Sequence, residues 1–318
     1  MQIVVLDGYT LNPGDNPWDG VEALGDLKIY DRTPDEAVID RARNAPIVVT
    51  NKTPISAREL AALPQLRFIA VTATGYNIVD VQAARQRGIP VSNVPVYGTD
   101  SVAQFVFALL LGHCHHVAHH DAAVRAGRWQ AAGDFSFWET HLIELAGLTM
   151  GIVGFGRIGR RVGELAHAFG MSVLAHDLST PSPPQYEPFA WSPCEDLFAR
   201  SDVVSLHCPQ TPDNVGFVDR TMLQRMKTGS ILINTARGAL VDEEDLAAAL
   251  HAGTPAAAAL DVVSTEPLPA DSPLLDAPNL LLTPHIAWAT LSARRRLMES
   301  TVANIRAFLH GTPTNVVN

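Results

Sequence analysis

Residues Thr149 to Gly159 read TMGIVGFGRIG, an apolar run that ends in the glycine pattern Gly154-x-Gly156-x-x-Gly159. What surrounds the glycines gives the pattern its weight. Thr149–Val153 has strand character, and the following segment, RRVGELAHAFG, repeats apolar residues at helical spacing. In such a strand–turn–helix, Gly154 permits the tight turn and Gly156 lets backbone approach a pyrophosphate. Gly159 allows the helix to lie close on the strand. The helix N-terminus then offers free N–H groups and a partial positive charge to phosphates. The next apolar run, MSVLAHD, ends at Asp177, eighteen residues after Gly159. A carboxylate there accepts hydrogen bonds from both ribose hydroxyls of an adenosine and repels a 2′-phosphate. No Arg or Lys follows at once, so NAD is expected rather than NADP.

Outward from this unit, short β-rich runs alternate with helical patterns. QIVVLDG, LKIYD, APIVVTN, LRFIAVTATG and IPVSNV precede it; DVVSLHCP, GSILINTA, AAAALDVV and NLLLTPH follow. This alternation predicts parallel βαβ units. ILIN and LLLT are apolar throughout, as expected of strands covered on both faces. A long helical segment from about Thr99 to Gly127 separates the two series, with Thr99, Asp100 and Ser101 as N-cap candidates. A last helical segment runs from about Leu291 to His310. The expected fold is therefore α/β, with two Rossmann-like parallel-sheet domains. A discontinuous, flavodoxin-like substrate domain comprises residues 1–98 and 289–318, and an inserted NAD-binding domain comprises 99–288, with a dimerisation helix at its start.

The whole-chain balance agrees. With 318 residues, 47% of them hydrophobic, the chain suits two cores better than one. Its net charge of −10 argues against a nucleic-acid partner. The longest apolar stretch, VFALLLG, is too short to cross a membrane, and the N-terminus reads as a first strand. A cytoplasmic location is the default expectation. Cys114, Cys194 and Cys208 are far apart and odd in number, which supports neither a disulfide framework nor a zinc knuckle.

Three polar residues follow apolar strands and so fall at the carboxyl edge of a parallel sheet, where ligands of such sheets bind. Arg237 lies in Asn234-Thr235-Ala236-Arg237-Gly238, and its planar fork suits a carboxylate. Glu266 follows Asp261-Val262-Val263-Ser264-Thr265, and His285 follows Leu282-Thr283-Pro284. Hydride transfer to a ketone leaves an alkoxide that needs a proton from a group titrating near neutrality. A neighbouring carboxylate stabilises imidazolium, so a His–Glu pair has a clear purpose here.

With these residues in view, the sequence resembles the D-isomer-specific 2-hydroxyacid dehydrogenases over essentially its whole length. The motifs that carry the resemblance are VTATGYNIVD, GIVGFGRIGRRV, the strand end at Asp177, NTARGALVDEEDL, LDVVSTEPL and LTPHIAW. The resemblance implies a homodimer whose catalytic and Rossmann domains close over the active site. It implies that Arg237 clamps the substrate, that Glu266 orients His285, and that His285 is the acid in reduction and base in oxidation. Thr74, Gly75 and Tyr76 match the loop whose amides hold the substrate carboxylate. Arg157 and Ile158 match the phosphate turn, Asp177 the ribose contact, and Asp261 the carboxamide partner. Cys208, Thr235, Ala236 and the stretch from His285 to Trp288 match further cofactor-lining positions. Gln104 stands where many members carry Glu.

Within the family, TNKTPI, ATGYN and HIAWAT look most like the glycerate dehydrogenases, also called hydroxypyruvate reductases. The loop Val71–Asn77 contains no cation, which favours a small uncharged C3 substituent, as in hydroxypyruvate or glyoxylate, over a phosphorylated one. Three alternatives share the fold: an NAD(H)-sensing binding protein of the corepressor type, a phosphite dehydrogenase and a phosphoglycerate dehydrogenase. The cluster His113, His115, His116, His119 and His120 suggests i,i+4 metal pairs, but no metal is expected and a polar helix face is the simpler reading. Trp129, Phe135, Phe137 and Trp138 are expected to pack at a subunit interface. Ser179–Pro188 is expected to be a loop.

Overall fold

Every pairing between the named strands is parallel. The computed structural model describes residues 1–180 and 182–318, so Pro181 of the expected loop lies outside the described residues. The chain divides into two units, Met1–Gly98 with Trp288–Asn318 and Thr99–Ala287. Trp288 thus goes with the outer unit, where it meets Tyr97 edge-on at 6.3 Å between ring centroids.

The outer unit holds β1 (Gln2–Val5), β2 (Asp26–Ile29), β3 (Ile47–Thr50), β4 (Phe68–Val71) and β5 (Val91–Ser92) in the order β2-β1-β3-β4-β5. This is the flavodoxin-like order. Side chains alternate between its faces. Val4, Val48 and Ile69 pack with Val38, Leu60 and Ala84 on one side. On the other, Ile3, Ile47 and Phe68 pack with Leu297, Met298 and Ile305 of the helix Leu291–Leu309. Capping fixes two helix starts: Ser56 and Glu59 form a capping box before Ala57–Ala62, and Asp80 caps Val81–Gln86.

The inserted unit holds β6 (Thr149–Val153), β7 (Ser172–His176), β8 (Phe189–Trp191), β9 (Val203–Leu206), β10 (Ile231–Asn234), β11 (Ala257–Leu260) and β12 (Leu280–Leu282). Their order, β12-β11-β10-β9-β6-β7-β8, reverses direction between β6 and β9, which is the Rossmann arrangement extended by one strand. Ile152, Val203, Ile233 and Ala259 face one apolar layer with Val106 and Leu110; Val153, Val204, Leu232 and Ala258 face the other with Phe198 and Leu246.

Four details depart from the sequence reading. The helix opening at Thr99 ends at His115, and a second, Val117–Arg125, continues at 49°. His116 between them is left-handed, with φ 45°, and the Cys114 carbonyl accepts from Ile143 N at 3.1 Å instead of continuing the helix ladder. Ser101 does not cap; it lies within the helix, and its hydroxyl donates to the Ala287 carbonyl at 2.6 Å. LLLT is not covered on both faces, because β12 is an edge strand and Leu281 is 38% exposed. Finally, β8 follows the Pro-rich loop as an unanticipated strand on the far edge.

One ion pair braces the return of the chain to the outer unit. Arg294, buried in the last helix, grips both carboxylate oxygens of Asp15, with Nη2 2.7 Å from Oδ2, and its Nε donates to the Ala289 carbonyl at 3.0 Å. The hydrogen bond from Arg294 lowers the carboxyl pKa of Asp15 from 3.8. A lowered folded value stabilises above the ordinary carboxylate value and is lost as pH falls through the folded one. Asp15→Ala is therefore expected to lower Tm at pH 7, and the gap to the parent should close on acidification below pH ~4. Thermal unfolding across pH checks this; a gap that persists into acid would remove the charge from the account.

Candidate active site

Three adjacent strands, β10, β11 and β12, each deliver one polar residue just beyond their carboxyl ends: Arg237, Glu266 and His285. Parallel pairing aligns those ends, so residues 29 and 19 positions apart emerge at one edge. Glu266 and His285 meet directly, with Oε2 2.7 Å from Nδ1. A carboxylate only accepts, so Nδ1 carries the donated proton and Nε2 is the nitrogen left to exchange one. Both side chains retain some access, at 34% and 26% exposure. Arg237 is exposed, and its guanidinium Nη1 rests on the Ala236 carbonyl at 2.6 Å.

The backbone that carries these side chains is braced from below. His285 adopts φ 55°, a left-handed conformation that costs a non-glycine residue roughly 1–2 kcal/mol. Asp261, 1% exposed, supports that turn through three acceptor contacts. Its Oδ1 accepts from Thr283 Oγ1 at 2.6 Å and Ile286 N at 2.9 Å, and its Oδ2 from Ala287 N at 2.8 Å. Asn234, equally buried, plays the same part for the arginine: Nδ2 donates to the Arg237 carbonyl at 2.8 Å, and Oδ1 accepts from Ala236 N at 3.0 Å. Sequence reading assigns no task to Asn234 or Thr283. Their only signal is a polar residue ending or following an apolar strand.

The other half of the sheet fits a dinucleotide. Gly154 has φ 93°, and a Cβ there would lie 2.4 Å from Cys208 N. A Cβ on Gly159 would lie 2.1 Å from the Gly154 carbonyl oxygen, so helix and strand touch through backbone. A Cβ on Gly156 would meet nothing within 4 Å, which leaves the approach open. The helix Arg157–Ala168 starts there without a side-chain cap, so its first N–H groups are available to an anion. Asp177 accepts from Phe155 N through Oδ2 at 2.7 Å, which ties this carboxylate to the glycine turn. Among the described residues Thr235 Oγ1, beside this edge, is buried without a hydrogen-bond partner. Cys208 is half-buried, and burial raises the pKa of its thiol.

The remaining candidates lie elsewhere. Thr74, Gly75 and Tyr76 follow β4 in the outer unit, where Thr74 Oγ1 donates to the Val94 carbonyl at 2.9 Å and Asn93 Nδ2 to the Thr74 carbonyl at 2.7 Å. Trp288 packs in the outer unit's apolar cluster. Among the described residues no three His, Cys, Asp or Glu side chains converge to hold a metal. His119 instead pairs with Glu139 at 2.9 Å, and Arg128 joins the same carboxylate.

A Rossmann-type sheet with a phosphate turn on one half and a carboxylate-backed histidine on the other defines a dinucleotide-dependent dehydrogenase. Comparison with known proteins narrows this. Residues 107–287 match the family model for the D-isomer specific 2-hydroxyacid dehydrogenase NAD binding domain. The chain is 50% identical to the hydroxypyruvate reductase of Blautia hydrogenotrophica, with complete coverage of both chains. It is 39% identical to the glycerate dehydrogenase of Methylorubrum extorquens, over 90% of this chain and 89% of that one. A Thermus thermophilus protein of solved structure superposes with TM-score 0.86 at 37% identity, with complete coverage of both. The chain belongs to the D-isomer-specific 2-hydroxyacid dehydrogenases. It is an NAD-dependent enzyme that moves a hydride to or from small 2-hydroxy acids.

The support of His285 by Asp261 is testable. Asp261→Asn sets an amide NH2 against backbone donors, at a cost of about 1–3 kcal/mol per unmet group. The expected result is a lower Tm together with a kcat reduced about a hundredfold, as for a misplaced catalytic group. Thermal unfolding and steady-state kinetics measure both, and unchanged turnover would release Asp261 from this duty.

Proposed function

We propose that the enzyme reduces hydroxypyruvate to D-glycerate, with glyoxylate as the next best substrate. The observation that carries the acid–base assignment is the 2.7 Å contact between Glu266 and His285. In this reading Arg237 turns its fork to the substrate carboxylate and carbonyl, and the backbone amides around Thr74, Gly75 and Tyr76 hold the carboxylate. His285 Nε2 donates a proton to the carbonyl oxygen as C2 is reduced, and Glu266 stabilises the imidazolium that serves as donor. In the reverse direction the neutral imidazole removes the hydroxyl proton. When bound, NADH supplies the hydride.

For the cofactor, Gly154, Gly156, Arg157, Ile158 and Gly159 are assigned to the pyrophosphate and Asp177 to the adenosine ribose. Cys208, Thr235, Ala236, Asp261, His285 and Trp288 are assigned to the remainder. Asp261 meets its assignment only through a lone pair that the His285 turn does not use. Hydroxypyruvate is favoured because the Val71–Asn77 loop offers no cation to a second anionic group and because the 50% identical relative is a hydroxypyruvate reductase. An acidic chain in which, among the described residues, no single helix is long and apolar enough to cross a membrane suits a cytoplasmic enzyme without nucleic-acid or membrane partners.

We also propose a homodimer. Val117, Phe135 and Trp138 are 69%, 91% and 68% exposed, and Trp129, Leu142 and Phe169 are exposed too. Side chains of this size gathered around one pair of helices call for cover, and a second copy supplies it symmetrically. Sedimentation should give twice the chain mass, and a Phe135→Asp/Trp138→Asp variant should shift towards monomer. A parent that sediments as a monomer would end the proposal.

The activity is tested by following NADH absorbance with hydroxypyruvate, glyoxylate and phosphohydroxypyruvate, and NAD reduction with phosphite. The highest kcat/KM is expected for hydroxypyruvate, and His285→Ala should abolish turnover while NADH still binds. Preference for the phosphorylated acid would refute the substrate, and NADH binding without turnover of any compound would favour a sensor.

A further inference from the structure

The loop that carries Glu266 has little core of its own. Ser264, Thr265, Glu266 and Pro267 are all exposed, and only Val263 and Leu268 at its ends reach the apolar layer. Such a loop opens locally unless its backbone is tied. Besides the contacts of Glu266 itself, with His285 Nδ1 at 2.7 Å and Val263 N at 3.4 Å, two features hold the Ser264 end of it. Ser264 N donates to Glu243 Oε1 at 2.5 Å, a charge-assisted bond to the first residue of the helix Glu243–Ala252. Beside it, Gly238 lies so close that a Cβ would come within 1.9 Å of Val263 C and 2.4 Å of Ser264 N. Gly238 directly follows Arg237, and Glu243 follows five residues later. The Arg237 turn and the Glu266 loop thus touch through backbone at Gly238 and are stapled by one carboxylate.

We propose that Glu243 is a positioning residue for the acid–base pair. Its carboxylate acts on the loop backbone at Ser264, two residues short of Glu266. By holding Ser264 against the Arg237–Gly238 turn, it sets where Glu266 starts, hence how Glu266 meets His285 and how far that pair stands from Arg237. The helix start tolerates the carboxylate well, since acidic groups in a first turn are favoured, and Asp242 caps the helix without help from Glu243. Removing Glu243 therefore leaves the helix intact and loosens the loop at Ser264. The inference rests on the assignment of Arg237, Glu266 and His285 to the reaction.

The test compares Glu243→Ala with Glu243→Gln, which keeps one oxygen able to accept from Ser264 N. Hydrogen exchange of the peptide spanning residues 261–268 reads the staple without reference to activity; it should quicken in the Ala variant and stay near parental in Gln. With hydroxypyruvate, Glu243→Ala should lower kcat about ten- to a hundredfold with NADH affinity within about twofold, as misplacement of a catalytic group predicts. The acid limb of its kcat/KM–pH profile should move, and Gln should restore most of the loss. Unchanged exchange in the Ala variant overturns the staple. Faster exchange with parental kcat and pH profile overturns the positioning role, as does equal damage in Ala and Gln. A parent inactive on every 2-oxo acid would sink the enzymatic reading instead, and the exchange result would still report on the staple.

Discussion

A buried carboxylate that cannot leave its three donors is the constraint on which the catalytic edge depends. Asp261 is almost wholly removed from water, and a charge in such a place needs hydrogen bonds on both oxygens. It finds them in Thr283, Ile286 and Ala287, the residues around His285. The cost of burying the charge and the cost of a left-handed histidine are thereby settled against one another. The three contacts of Asp261 hold the backbone from which the imidazole projects.

The same logic extends along the sheet. Asp261 ends one strand and braces the next strand's exit; Asn234 braces its own strand's exit; Gly238 lets the loop after β10 lie against the loop after β11. These braces act at the exits of neighbouring strands, and parallel pairing is what puts those exits side by side. The reversal between β6 and β9 then separates labour within one sheet. Strands β6 and β7 lead into the glycine turn and Asp177, whereas β10 to β12 lead into Arg237, Glu266 and His285.

The strand–turn–helix at Gly154, the parallel pairing implied by alternation and the identities of Arg237, Glu266 and His285 are legible in the sequence. They rest on local signals, namely periodicity and residue types that need particular chemistry. What lies beyond reach depends on tertiary neighbours. Nothing in the letters around His116 announces that the Cys114 carbonyl is taken by Ile143 and the helix broken. LLLT reads as a buried strand because hydropathy cannot tell an edge from a centre; only the sheet order leaves Leu281 exposed. Asp261 reads only as a ligand contact because its three hydrogen-bond partners lie more than twenty residues onward.

Two histidines follow strands at the carboxyl edge, and their surroundings differ. His207 follows β9, but burial drives its pKa down to about 3, and its Nε2 has a hydroxyl partner, Ser205 Oγ, at 2.8 Å. A neutral imidazole of that kind can hold a position, yet it has no proton to give at neutral pH. His285 has a carboxylate on one nitrogen and leaves the other accessible. Proton transfer needs a group that is stable in both charge states and reachable by the reacting oxygen. Desolvation without a counter-charge denies His207 the first condition, whereas a carboxylate lies against Nδ1 of His285.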